Sequence, residues 1–494
     1  MFRIRRLFVF LMAALLWFSD SDLYAQGFGG GFGQGGGFGG GGQFGGGGQF
    51  GGGQQGGGLG GGFGGFGGGF NFPGGILIKP DGQVEPKVVK DAALKTLKSK
   101  MAAVAKKFVT KDANQSSPLR KVSLVRLEQV LAKAVEDDKA MPADVHYLAG
   151  LQRIDYVFVY PETNDIVIAG PAEGFAPDGT GRCVGLASGR PPLRLDDLVL
   201  AFRAFERGDS MGCSIDPKKE NLAALNQFLA RNTVASSAAA VRRRYQTMAN
   251  VLGNQDISVW GVPADSHLGQ SLVEADVRMK RIMMGLENPR VRGFRSFLSM
   301  LTPKGNTMQR FWFTPLYENF TKTADGTALQ LAGQRCQLMA REELFDGAGN
   351  RVAAPNTRKA TTGFANLFTQ KFPELARRVP AFAELQNLMD MAILVSLINK
   401  ERLAEQVGWS KRTFLDGEKI PMARNHVPKE IKSEATTRQV GRTMLGIVCG
   451  GVDVSPRTTL QAIRFERDAD GKLASVYGEN KASRVAEAHP WWWD

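Results

Sequence analysis

The chain has 494 residues, with 62 lysines and arginines against 48 acids and a net charge of +14. That length admits two or three domains, and the charge favours anionic partners such as wall polymers, acidic polysaccharide or lipid head groups. Four cysteines without a C-x-x-C, and only four histidines, argue against a metal site at the familiar ligand spacings.

Residues 1–25 read as a secretory signal peptide. Arg3, Arg5 and Arg6 precede an apolar run from Leu7 to Trp17, and a cut is plausible after Ala25. The run is shorter than the roughly 20 residues that span a bilayer. An uncleaved anchor is the alternative. The expected place of action is therefore periplasmic, envelope-associated or extracellular, with no transmembrane span after signal cleavage.

Residues 26–75 form a Gly-rich arm. Residues 27–69 hold 30 of the 61 glycines, and the hexad GGGGQF occurs twice in tandem, ending at Phe44 and Phe50. Such a stretch buries too little apolar surface to offset its chain entropy, so disorder is expected. It is either a plain spacer or a self-associating sticker built on Phe28, Phe32, Phe38, Phe44, Phe50, Phe63 and Phe66.

Beyond the arm the patterning predicts a mixed α/β (α+β) globular body of two or three subdomains, divided as 76–145, 146–300 and 301–494. The first is a basic helical segment. Its apolar stripe runs from Val88 through Met101, Val104 and Phe108, and residues 87–111 carry eight lysines. A second helix is expected from Ser123 to Glu136. Asp155–Tyr160 and Ile166–Ala169 flank a turn cluster and read as a hairpin. Helices follow at Leu195–Phe205, Pro217–Arg231, Ala238–Leu252 and His267–Leu286, with strands at Met211–Ile215 and Ile257–Val262. In the last third, strands are expected at Arg310–Tyr317, Thr327–Leu344, Gly441–Val454, Thr459–Glu466 and Leu473–Tyr477. A helical pair is expected at Thr362–Arg378 and Ala381–Leu403, broken at Pro380. Trp491, Trp492 and Trp493 cannot all enter one core from a short segment. They plug a groove or form an exposed binding patch.

Several blocks then look familiar. They are Tyr147–Ile154 with Gly170–Gly174, Gly261–His267 leading to Glu274-Ala275-Asp276 and Arg278-Met279-Lys280, Phe382–Leu388, and Trp491–Asp494. Together they resemble a planctomycete-type family of exported bacterial proteins catalogued only as a domain of unknown function. That resemblance implies no activity and no site residues.

The chemical candidates are few. Gly208-Asp209-Ser210-Met211-Gly212 matches the nucleophile elbow G-x-S-x-G, but a helix is expected before Ser210 and a strand after it, the reverse of the elbow. His267 stands at a helix start beside Asp265, which could orient it as a general base; equally, Asp265 or Ser266 could simply cap the helix. A polar site would centre on Asp265, His267, Glu274 and Asp276. Cys183 and Cys213 are close enough in sequence to pair as a disulfide after export, and four buried free thiols are the alternative. With no dinucleotide fingerprint and no phosphate loop, no cofactor and no specific nucleic acid are expected. The leading expectation is a non-catalytic envelope-associated or extracellular structural or binding protein. The alternatives are a secreted hydrolase near Asp265 and His267, and a polyanion-binding module.

Overall fold

The computed structural model describes residues 75–87, 101–178, 180–206, 210–231, 237–301, 308–420, 422, 424–436, 438–440, 443–445, 449–479 and 489–494. The expected signal peptide, nearly all of the Gly/Phe arm and residues 88–100 of the helix expected from Pro86 to Val109 lie outside these residues. All the described residues belong to one compact unit, Gly62–Asp494. The expected boundaries near 145 and 300 do not separate bodies, because both sheets draw strands from either side of them.

The body is an α+β fold on two large sheets. The first runs from edge to edge through Ile76–Ile78, Gln83–Pro86, Glu430–Lys432, Asn254–Trp260, Met211–Pro217, Cys449–Val454, Met308–Leu316, Arg335–Phe345 and Arg351–Ala353. The second runs through Phe465–Arg467, Phe320–Lys322, Ala328–Gln330, Tyr156–Tyr160, Asp165–Ala172, Ser117–Ser123 and Trp492–Trp493. The hairpin Tyr156–Tyr160 with Asp165–Ala172 forms as its patterning predicts, turning at Asn164 in the left-handed region (φ 52°).

The helix Pro380–Lys400 is the spine of the core. It is apolar on nearly every side, as a helix surrounded by protein must be. By length and composition it could cross a membrane, yet 94% of its most apolar window is buried inside the fold. It packs on the helices Leu195–Phe205, His267–Met283 and Lys359–Arg378. The last of these places Phe364, Phe368 and Phe372 one turn apart, where they meet Phe311, Phe313 and Phe382 mostly edge to face. Pro373 lies inside that helix and cannot donate to the carbonyl of Thr369. Gln334 Nε2 donates to that carbonyl instead, at 3.0 Å.

Local rules fail where segments are short. The strand expected over Thr459–Glu466 is a helix, Pro456–Ala462, followed by a short strand, Phe465–Arg467. Pro456 at the first helical position favours that start. The strand expected over Leu473–Tyr477 is the helix Lys472–Glu479, whose first turn donates from Leu473 N and Ala474 N to the Asp468 carboxylate at 3.2 and 2.8 Å. Thr327–Leu344 divides into Ala328–Gln330 and Arg335–Phe345, which serve different sheets. In the basic segment the described turns 101–108 bury Met101 and Ala105, while Val104 faces out.

Candidate functional site

The helix His267–Met283 begins at Ser266, whose hydroxyl accepts from Gly269 N at 3.0 Å; Ser266, not Asp265, is the cap. This start places His267 inside the body rather than on it. The ring does not meet Asp265, which turns to Arg424 at 4.0 Å. It meets Asp197 in the first turn of Leu195–Phe205: His267 Nδ1 lies 2.9 and 3.1 Å from the two carboxylate oxygens. The other ring nitrogen, Nε2, lies 3.8 Å from Glu384 Oε1 on the spine helix. Burial pushes the His267 pKa below its ordinary value, Arg194 acts the same way, and Asp197 opposes both. The neutral tautomer that fits carries its proton on Nδ1, donated to Asp197, with the Nε2 lone pair free.

Glu384 is held by Arg182, which donates from one Nη to Glu384 and from the other to Glu274 Oε2 at 2.6 Å. All three side chains are almost wholly buried. One planar guanidinium thus joins two helices through two carboxylates, the fork geometry that lysine cannot supply. Gly75 closes over this cluster: a Cβ there would fall 2.3 Å from Glu274 Oε1. Two positions on, Asp276 is also fully buried, 3.1 Å from Lys280 Nζ. Burial raises its pKa against the opposing Lys280 charge.

A small recess opens on His267. Tyr147, Arg182, Cys183, Arg194 and Glu384 line it with the histidine. Its free volume is about 10 Å³, the room of about one water, whereas ligand pockets usually reach roughly 300–1,000 Å³. Arg194 lies over the Tyr147 ring at 5.4 Å and donates to Asp196 at 3.2 Å. Burial pushes the Cys183 thiol well up, so it is not a ready nucleophile.

The other candidates fall elsewhere. Ser210 is exposed between the helix Leu195–Phe205 and the strand Met211–Pro217, the reverse of a nucleophile elbow. Cys183, Cys213 and Cys336 are buried free thiols, so the expected Cys183–Cys213 bridge is not formed. Trp491, Trp492 and Trp493 are all buried. Trp491 and Trp492 join the main core and Trp493 a second cluster. Among the described residues no group of three or more His, Cys, Asp or Glu side chains could hold a metal. The residues missed from sequence are Arg182, Asp197, Arg194 and Glu384. An acid in a largely apolar run, as Glu384 is, was the one available signal, since a buried charge needs a partner.

Fold and site together define an α+β protein organised around a closed, buried ionic cluster, with His267 and Glu274 on one helix and their partners on three other segments. Residues 213–297, which include most of the strand Met211–Pro217 and all of the helix His267–Met283, match the model of a family described as Protein of unknown function (DUF1598). Over these residues the chain is similar to that family, whose function is unknown. No curated protein and no solved structure matches the chain.

Proposed function

We propose that the chain is an exported, non-catalytic structural or binding protein of the cell envelope or exterior, its body carried behind the Gly/Phe arm. The observation that carries this reading is the state of His267. The best-placed base among the described residues is held through Nδ1 by Asp197 at a recess with room for about one water, and its neighbours Arg182, Glu274 and Glu384 are spent on one another. Such a cluster fits a device that fixes three helices. The basic balance adds a binding tendency towards anionic envelope polymers, and the regularly spaced phenylalanines of residues 27–69 add self-association. The test follows producing cells through fractionation and a high-salt wash, comparing the full chain with one lacking residues 27–69. Retention of the full chain and release of the deletion is expected. Equal behaviour of both as free protein overturns the arm's role.

One observation favours a second reading, a secreted hydrolase. The Asp197–His267 pair leaves Nε2 facing the recess, as a general base requires. Hydrolysis of any member of an ester, amide and glycoside panel, abolished in a folded His267→Ala chain, would establish it in place of the first.

A further inference from the structure

The Trp491–Asp494 segment is seated against Arg120 and the strand Ser117–Ser123. Arg120 is completely buried on the strand Ser117–Ser123. Its guanidinium is held by main-chain carbonyls: Nη1 donates to Ala113 O at 3.1 Å and to Ala149 O at 2.6 Å, and Nη2 to Gln115 O at 3.1 Å. A cation so caged keeps its orientation whatever occupies its open side. On that side Nε and Nη2 form a fork to the Asp494 carboxylate, at 2.8 and 2.9 Å. Asp494 itself remains 44% exposed, so the acid arrives from the solvent side and the arginine waits inside.

The rest of the seat reads an extended, aromatic segment. Trp492 and Trp493 pair antiparallel with Val122 and Lys121 at the edge of the second sheet, and Ser123 N donates to Trp491 O at 2.8 Å. The Trp492 ring lies 4.5 Å from the Arg120 guanidinium. Strand addition, aromatic seats and a forked arginine for an acid are the parts of a peptide-recognition site.

We propose that this seat is a receptor for Trp-Trp-Trp-Asp segments, and that the segment of a second copy of this chain can occupy it in exchange for the chain's own. Eleven residues, 480–490, join the segment to the helix Lys472–Glu479; a chain of that length spans at most about 37 Å. Exchange keeps every contact, so the self-seated and exchanged forms differ only in tether and concentration. The role is independent of whether the body is catalytic.

The test uses the full chain. A labelled peptide of residues 489–494 is titrated by fluorescence anisotropy against wild type, Asp494→Asn, and Arg120→Gln with Asp494→Asn. Weakening the resident segment should raise peptide affinity at least about tenfold, and loss of the arginine should remove that gain. Equal affinity for all three chains overturns the receptor. If Asp494→Asn loses its native circular dichroism, wild type in peptide excess decides: saturable binding, tenfold weaker for a peptide ending in Asn, supports the receptor, and its lack overturns it. Differently tagged Arg120→Gln and Asp494→Asn chains are then mixed at high concentration and one tag is captured. Co-capture, competed away by free peptide, is expected; peptide binding without co-capture overturns exchange between copies.

Discussion

The two halves of the helix His267–Met283 bury acids in opposite ways. Near its start, Glu274 shares Arg182 with Glu384, and the three charges come from three separate segments. Two residues later, Asp276 has only Lys280 of its own helix at 3.1 Å, and among the described residues neither carboxylate oxygen accepts a hydrogen bond. Lys280 spends a donor on Ile215 O at 3.1 Å. A forked cation satisfies two acids and ties elements together. A point charge one turn away satisfies its acid poorly, and its one tie beyond the helix is the single bond to Ile215 O.

The largest effect is therefore expected at the first half. Arg182→Ala strands two buried carboxylates and should cost about 3–5 kcal/mol. Arg182→Lys should recover only part of that, because one ammonium cannot span both acids in plane. Urea unfolding measures both. A loss below about 1 kcal/mol for the alanine variant, the level of an exposed pair, would show that the cluster does not hold the helices together.

The same contrast marks what the sequence could tell. Long periodic segments were legible: Leu195–Phe205 and Ala238–Leu252 occupy the expected residues. Segments of three to eight residues after Pro456 were not, because alternation over so few positions fits a strand or a helical turn equally well, and side-chain caps such as Asp468 decide between them. His267, Glu274 and Asp276 were legible as polar residues on one helix. Their partners were not. Neither Asp197 nor Arg182 carries a local signal of this role, because the contacts joining them to the helix span 70 and 92 positions. The three tryptophans were legible as a problem of too many rings for one core. Its solution, an edge strand with an arginine behind it, needed a fold.

At the second half of the helix the sign should reverse. Replacing Asp276 with Leu and Lys280 with Met removes a poorly satisfied pair at similar volume, so stability should be unchanged or rise by about 1–4 kcal/mol. The pH dependence gives a second reading. Burial raises the Asp276 pKa, so the folded chain keeps this proton to a higher pH than the unfolded one, whose value is about 3.9. Stability from this group therefore falls as pH rises from about 4 through the raised value. The double variant should lose that slope. A destabilised double variant would mean that Lys280 binds its helix to the strand Met211–Pro217 more strongly than Asp276 strains it.

The smallest effect, and the one with the opposite slope, is expected at His267. Its folded pKa is lowered from 6.5, first by burial and then by Arg194. As pH falls below about 6.5 the unfolded chain takes up a proton that the folded chain refuses. Stability from this group is complete above that pH and declines through the window beneath it. His267→Asn keeps an amide donor for Asp197 but has nothing to titrate, so the variant should lose less stability than wild type between pH 7.5 and 5. The comparison needs only urea midpoints at the two values. Converging curves towards acid pH mean that the ring is held neutral by its buried setting. Parallel curves mean that it takes its proton inside the fold, and that Asp197 and Glu384 outweigh burial and the two arginines beside it.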